Sequence, residues 1–198
     1  LDVWNTVAER CSIALGRALD LVGYHKLNPL TGTVAQSVTT GIADTTNAVT
    51  ISSGNYTESV EAAAGLVIAD GYVPSGIALD PTLSFGLATQ RNSDGVKFNP
   101  DMGLGIDVAS YAGMGAAVST AVSASSEAAT ATNVIGFVGQ FDAFRWGVQR
   151  EIAAHIVEFG DPDGLGDLQR QNQIALRMEI VYGIGIMDLD AFAKVVSA

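Results

Sequence analysis

Cysteine, histidine and basic residues are scarce in this chain of 198 residues. The single cysteine, Cys11, allows no internal disulfide, and neither His25 nor His155 has a cysteine or histidine at metal-ligand spacing. Ten Lys and Arg stand against 21 Asp and Glu, giving a net charge of -11. This balance argues against a surface that binds the phosphates of DNA or RNA, which requires clustered basic residues.

Long apolar runs and catalytic motifs are also missing. The apolar run from Ala62 to Ala69 is far shorter than the roughly 20 residues of a membrane-spanning helix, so we expect no membrane segment. No Gly-x-Ser-x-Gly elbow occurs, and the glycine pairs that begin at Gly103 and Gly113 lack the third glycine of a dinucleotide-binding fingerprint. We therefore predict no catalytic, cofactor-binding or metal-binding residues, no cofactor, and a protein that is not an enzyme.

What the sequence does contain is a pattern typical of a long β-hairpin, from Phe144 to Asp188. Large apolar residues occupy every second position in Phe144 to Gln149 and again in Ile174 to Tyr182, the period of half-buried strands. Such long strands favour an α+β fold in which the hairpin reaches across the molecule.

The turn of this hairpin is predicted at GDPDGLGD, which comprises Gly160, Asp161, Pro162, Asp163, Gly164, Leu165, Gly166 and Asp167. Its Asp-Pro and Asp-Gly pairs favour turns. The three carboxylates also allow a weak calcium site. They fail as an EF-hand, because glycine comes at the fourth place of the loop and Asn172 at the twelfth. A hairpin turn is the preferred interpretation.

Helical and β patterns precede the hairpin. Apolar residues at helical spacing predict a helix from Asp2 to Val22 that ends near Gly23. The other predicted elements are a strand at 48–52, a helix from a capping box at Asn55 to Asp70, a strand within 72–79, a helix capped by Asp80 and Pro81, extended segments at 96–98 and 105–109, a strand through Val118 and Val122, a loop at 123–132 and a strand at 133–139.

Four segments, in their order and spacing, resemble the major capsid proteins of tailed bacteriophages, most closely those from phages or prophages of actinobacteria. They are ALGRALDLVGYHKLNPLTG (14–32), VIADGYVPSGIALDPTLSFGLATQRNSDGVKF (67–98), GQFDAFRWGVQREI (139–152) and EFGDPDGLGDLQRQNQIALRMEIVYGIGIMDLDAF (158–192). The resemblance implies the Hong Kong 97-type capsid fold, with a spine helix, a long-stranded peripheral domain and a mixed α/β axial domain.

By this resemblance, we expect the peripheral domain of the family to correspond to residues 1–56, with the spine at 2–22, and to the long hairpin at 151–186. The axial domain comprises residues 57–150, with a return at 187–198. The N-terminal arm and extended loop of the family have no counterpart in this sequence, and we expect both to precede Leu1.

The function that the resemblance implies is that of a major capsid subunit, which self-assembles into an icosahedral shell around phage DNA. Expected partners are further copies in pentamers and hexamers, with scaffold and portal proteins possible, no sequence-specific DNA binding and no membrane. The expected location is the virion, with assembly in the host cytoplasm. In the family the loop that corresponds to Gly160–Asp167 lies where three subunits meet. The alternatives are an encapsulin-like compartment shell and a small α+β enzyme with a pocket around His25 or His155.

Overall fold

The computed structural model describes residues 3–52, 54–104, 108, 110–124 and 132–198, without the side chains of 151–154. The helices and strands are α1 (Val3–His25), β1 (Ala48–Thr50), α2 (Tyr56–Ala69), β2 (Gly76–Leu79), α3 (Pro81–Thr89), β3 (Ser110–Tyr111), β4 (Met114–Val118), β5 (Val134–Gly139), β6 (Phe144–Val157), β7 (Ala175–Ile186) and β8 (Phe192–Val196). The mixture of helices and mostly antiparallel strands confirms the predicted α+β class.

The chain forms two compact units. The first unit comprises residues 1–17 and 146–183, and the second comprises residues 18–145 and 184–198. Most of the hairpin β6–β7, a two-stranded sheet of its own, therefore lies in the first unit. The predicted peripheral and axial domains divide the chain at other positions, and their assignment remains a prediction.

A six-stranded mixed sheet forms the body of the second unit, in the order β1-β8-β5-β2-β4-β3. Its central strands β5 and β2 run antiparallel, with Gly139 opposite Gly76 and Phe137 opposite Ala78. All six residues of β5 are buried, as the uninterrupted sequence VIGFVG requires, because a strand covered on both faces shows no polar alternation.

Helices α2 and α3 contribute to the larger apolar core of the second unit, where Val60, Val67 and Leu83 pack with Ile77 and Val138 of the sheet. Helix α3 begins as the sequence predicted. The Thr82 backbone N–H donates to Asp80 Oδ1 at 2.8 Å, and Pro81 occupies the first turn, where a missing N–H costs nothing. The other Asp80 oxygen, Oδ2, accepts from Ser123 Oγ at 2.6 Å, so this buried carboxyl also holds the segment after β4.

Helix α1 continues three residues beyond its predicted end at Val22, because Gly23 does not end it. A Cβ at Gly23 would come within 2.9 Å of the Phe144 ring, so glycine here allows the helix to approach that ring closely. The helix ends at His25, and Lys26 takes the left-handed conformation with φ 58°.

Three further details differ from the sequence prediction. The strand expected through Val122 ends at Val118, and Val122 lies in a 3-10 turn. Ser123 was predicted to lie in a loop, a position that is usually exposed, but it is buried. The predicted capping box at Asn55 is replaced by a side-chain bond, in which Asn55 Nδ2 donates to Glu58 Oε2 at 3.0 Å. Most of the predicted extended segment 105–109 and loop 123–132 lies outside the described residues.

His25 anchors the end of α1 within the second unit. Its Nε2–H donates to the Val122 carbonyl oxygen at 2.7 Å, and its ring lies 5.7 Å from that of Phe137, on which Tyr24 also stacks. The imidazole is only 8 % exposed, and burial lowers its pKa, although the bond to Val122 acts in the opposite direction. We conclude that His25 is neutral in the folded chain at neutral pH.

This burial predicts a loss of stability in mild acid. Below the ordinary histidine pKa of about 6.5, the unfolded chain binds a proton at His25 that the folded chain does not accept. The His25 contribution is therefore complete above about pH 6.5 and declines as the pH falls towards the lowered folded-state pKa. Urea titrations at several pH values should show a smaller decline in His25→Gln than in the parent. The matched control is His155→Gln, which should retain the full decline because His155 is exposed. An identical pH dependence in His25→Gln and the parent would contradict the assignment.

Candidate subunit-contact site

All eight predicted contact residues lie in one loop, residues 158–174, which joins β6 to β7 and is called the tip loop below. The loop is longer than the predicted turn, because β6 ends at Val157 and β7 begins at Ala175. Three glycines, Gly160, Gly164 and Gly166, and Asn172 have positive φ values. These conformations favour glycine and, to a lesser degree, asparagine, which explains the glycine-rich sequence of the turn.

The carboxylates at the two ends of GDPDGLGD organise the tip loop itself. Asp161 Oδ1 accepts a hydrogen bond from the Gly166 backbone N–H at 3.0 Å. Asp167 Oδ1 accepts from the backbone N–H groups of Gln169 at 2.8 Å and Arg170 at 3.2 Å. Side chains that satisfy nearby backbone donors in this way are typical of ordered turns. Asp161 and Asp167 are therefore structural residues of the loop as well as surface charges.

Asp163 contributes much less to the loop. Its Oδ1 lies 3.5 Å from the Leu165 backbone nitrogen, at the limit of a hydrogen bond, and the residue is exposed. Of the three carboxylates in GDPDGLGD, Asp163 is therefore the one most available to another molecule.

The tip loop presents apolar side chains to solvent. The sequence predicted Leu165 as one of the eight contact residues but did not single out its side chain. Leu165 is 76 % exposed, while its carbonyl oxygen accepts from Gln171 Nε2 at 2.9 Å. Phe159 is also exposed, whereas Leu168 is buried and anchors the loop. An ordered backbone that holds a large apolar side chain in water is typical of a binding surface. The signal in the sequence was Leu165 itself, a lone apolar residue between two glycines in a turn.

Two basic residues of the hairpin, Arg170 and Arg177, could meet a carboxylate of another copy, and they are not equivalent. Arg177 forms an ion pair with Glu179 on its own strand. Arg170 lies in the tip loop and is exposed, and it makes no ion pair within the described part of the chain. Arg170 is thus the better candidate to meet a carboxylate of another copy.

Over the described residues, no group of three or more histidine, cysteine, aspartate or glutamate side chains is arranged to hold a metal ion. His25 is buried and bonded to a carbonyl, His155 is exposed on β6, and Cys11 lies half-buried on α1. A cleft in the second unit, with a volume of 390 Å³, is lined by Tyr24, Ser75, Phe141 and the backbone and small side chains of β2 and β4. Among the residues that the structure describes, no histidine, carboxylate or cysteine lines this cleft.

The described residues of the first unit form almost no core of their own. Within its described residues, Leu168 is the only buried hydrophobic side chain. The apolar residues that this unit exposes are Val3, Trp4, Val7, Ile13, Trp146, Val148, Ile156, Phe159, Leu165, Ile174 and Val181. A two-stranded sheet is marginally stable without a further surface to cover it. So large an exposed apolar set in so small a unit therefore indicates a surface that other molecules cover.

The long hairpin, the long helix and the six-stranded mixed sheet define the Hong Kong 97-type capsid fold. A solved chain from Mycobacterium phage Ogopogo is 45% identical, with a TM-score of 0.92, and the match covers 100% of this chain and 68% of that one. A chain from Gordonia phage Cozz is 34% identical, with a TM-score of 0.88, covering 99% and 64%. The capsid of an empty GTA particle shares the fold at 12% identity and a TM-score of 0.62, covering 100% and 67%.

The chain belongs to the major capsid proteins of tailed bacteriophages, within the group found in phages of actinobacteria. It is a structural protein of the virion, and it spans about two thirds of the length of the solved phage chains that it matches. The sequence matches no family model and no curated protein. Among the helices described, none has the length and apolar character needed to cross a membrane.

Proposed function

We propose that this chain builds an icosahedral phage head by joining copies of itself chiefly through the first unit. The observation that carries the proposal is the imbalance between one buried and many exposed hydrophobic side chains among the described residues of that unit. Burial of apolar surface drives association at roughly 25 cal/mol per Å² before the entropic cost of binding. Neighbouring copies can supply the cover that the unit lacks.

The peripheral domain of the capsid fold corresponds, in this proposal, to residues 1–56 and 151–186, with α1 as its spine. The axial domain corresponds to residues 57–150 and 187–198. The division into two compact units supports part of this assignment, because in both descriptions most of the hairpin belongs with the start of α1, and strands β2 to β5 belong with β8. Strand β1, which the proposal places in the peripheral domain, lies in the second unit. Pentamers and hexamers of the chain would form the shell, with the help of a scaffold and a portal where the phage supplies them.

The tip loop is proposed as a contact point where three subunits meet. Its preorganised backbone supports this role, since a loop already held by its own hydrogen bonds loses little entropy on binding. Both the Leu165 side chain and the Asp163 carboxylate are exposed on it. The contact would then combine an apolar anchor with charges.

Packaged DNA is enclosed without sequence-specific binding in this proposal. A net charge of -11 keeps the protein from adhering strongly to the phosphates, which favours a shell that holds DNA without immobilising it. Assembly would take place in the cytoplasm of the host before the DNA enters.

Electron microscopy of the protein expressed alone from its full coding sequence tests the proposal. We expect closed shells of uniform diameter, either directly or after addition of a scaffold protein from the same phage. Monodisperse monomers at every concentration, with and without scaffold, would contradict it. Shells that capture a co-expressed enzyme and never DNA would instead favour an encapsulin-like compartment.

A further inference from the structure

A second exposed feature lies on the second unit, between α3 and β3. Residues 90–99 form a short antiparallel turn, called the 90–99 hairpin below, in which Arg91 faces Lys97. The backbone N–H of Phe98 donates to the Gln90 carbonyl oxygen at 3.1 Å, and that of Asn92 donates to the Val96 carbonyl oxygen at 2.9 Å. These bonds close the hairpin at its base and near its turn.

Side chains lock both the turn and the base. At the turn, Asn92 Oδ1 accepts from the backbone N–H groups of Asp94 at 3.0 Å and Val96 at 2.8 Å. Arg91 Nη1 donates to the Gly95 carbonyl oxygen at 2.7 Å. The hairpin is thus held in one conformation by its own residues.

The base is tied to the start of α2. Gln90 Oε1 accepts from the Thr57 backbone N–H at 2.9 Å and from its hydroxyl at 2.8 Å. Asn99 Nδ2 donates to Thr57 Oγ1 at 3.0 Å and to the Leu87 carbonyl oxygen at 3.1 Å. The hairpin therefore cannot swing independently of the two helices that it contacts.

This rigid hairpin exposes apolar surface that the fold does not use. Val96 is 62 % exposed and Phe98 is 50 % exposed. The two residues flank Lys97, the residue that faces Arg91 across the hairpin. Rigid loops that display apolar side chains are typical of binding surfaces, because ordering them costs little when the partner arrives.

The hairpin also carries two basic side chains, on a unit whose net charge is negative. The second unit has five Lys or Arg against 13 Asp or Glu. Two of the five basic residues are Arg91 and Lys97, and within the described residues neither lies at ion-pair distance from a carboxylate. By contrast, Lys26 pairs with Asp44 at 2.8 Å and Lys194 Nζ donates to the Ala43 carbonyl oxygen at 2.9 Å. The surface that best complements the hairpin is therefore acidic, and the second unit of another copy has that character.

We propose that the 90–99 hairpin docks against the acidic second unit of another copy, with Val96 and Phe98 as the apolar anchor and Lys97 and Arg91 as its charges. This inference rests on the proposed function, because it assumes that copies assemble. It adds a contact that the first unit does not contain. Because the hairpin and its acceptor surface are different parts of the same unit, the contact is head-to-tail, the kind that closes into rings or continues into larger arrays.

Two variants and one control test the proposal in the protein expressed from its full coding sequence. Val96→Ser combined with Phe98→Ser removes the apolar anchor, and Lys97→Glu reverses one charge. Lys97→Arg, which keeps the charge, is the matched control. We expect each of the first two to lower the yield of shells or of their ring-shaped intermediates by about tenfold at low salt, while the control assembles like the parent. Thermal melting of the unassembled chain should be unchanged in all three, since the replaced side chains contribute to no core cluster.

Cross-linking identifies the occupant directly. In a Cys11→Ser background, which leaves no other cysteine in these 198 residues, Phe98→Cys is labelled with a photoactivatable group and the products are mapped by mass spectrometry. Cross-links from position 98 to residues 18–145 or 184–198 of another copy would support the proposal. Cross-links only within the same copy or to residues 1–17 and 146–183, or parent-like assembly of both variants, would overturn it. Where one of these overturning results is obtained and the parent still forms shells, only the hairpin proposal fails. If the parent itself never assembles, the proposed function fails as well.

Discussion

Replacement of Gly139 by alanine is expected to destabilise the second unit by about 3 kcal/mol or more, the upper part of the usual range for overpacking. A Cβ at this position would lie 2.5 Å from the Ala191 carbonyl oxygen, 2.6 Å from Phe192 Cδ1 and 3.1 Å from Phe192 Cα. Two of these three atoms belong to the backbone and cannot move aside by a change of rotamer. The strand pair β5–β8, in which Gly139 faces Phe192, would have to separate locally.

Gly65→Ala is the matched control for this substitution. Gly65 lies in α2, and nothing comes within 4 Å of a Cβ placed there. Alanine should then stabilise the helix by about 0.5–1 kcal/mol through its higher helix propensity. Urea denaturation of both variants, followed by circular dichroism, measures the two changes. Equal stabilities of Gly139→Ala and the parent would show that the strands relax around the added methyl group at no cost.

A third glycine, Gly23, shows where local sequence patterns lose their predictive value. Strands β5, β6 and β7 and the cap of α3 at Asp80 follow from periodicity and local hydrogen bonding, and the structure confirms them. Gly23 was interpreted as the end of a helix, because glycine commonly follows the last helical residue. Its actual role depends on a ring 121 positions away in the sequence, that of Phe144, and no local pattern carries that information.

The same limit applies to the candidate contact site. The turn at Gly160–Asp167 was predicted from its Asp-Pro and Asp-Gly pairs, and the structure has a loop there. Asp161 and Asp167 hold the loop, whereas Asp163 is available to another molecule. This difference depends on the positions of backbone N–H groups, which composition does not reveal. Leu165 was included only as part of the turn, because an isolated apolar residue in a turn has no periodicity to mark its side chain as an anchor. Its exposure is visible only once the fold of the loop is known.

Reversing the charge of Asp163 is expected to impair assembly while leaving the subunit folded. Asp163→Lys removes only one hydrogen bond at the 3.5 Å limit, so the melting temperature of the unassembled chain should stay nearly unchanged. Asp167→Ala, in contrast, deprives two backbone N–H groups of their acceptor and should destabilise the loop by about 1 kcal/mol. The comparison separates a charge that serves the contact from one that serves the turn.

Shell yield supplies the second measurement. An exposed ion pair contributes only roughly 0.2–1 kcal/mol, but a shell repeats each contact many times, so Asp163→Lys should lower the yield strongly at low salt. The loss should lessen at high salt, where screening weakens the new repulsion.

Because Arg177 is already paired with Glu179, Arg170 is the expected counterpart of Asp163 in the neighbouring copy. The double variant Asp163→Lys, Arg170→Glu should therefore restore assembly. If the single variant assembles like the parent at every ionic strength, the tip loop is not at a subunit contact. If the double variant assembles no better than the single one, the loop meets a different group, and the Leu165 side chain becomes the remaining candidate for the anchor of the contact.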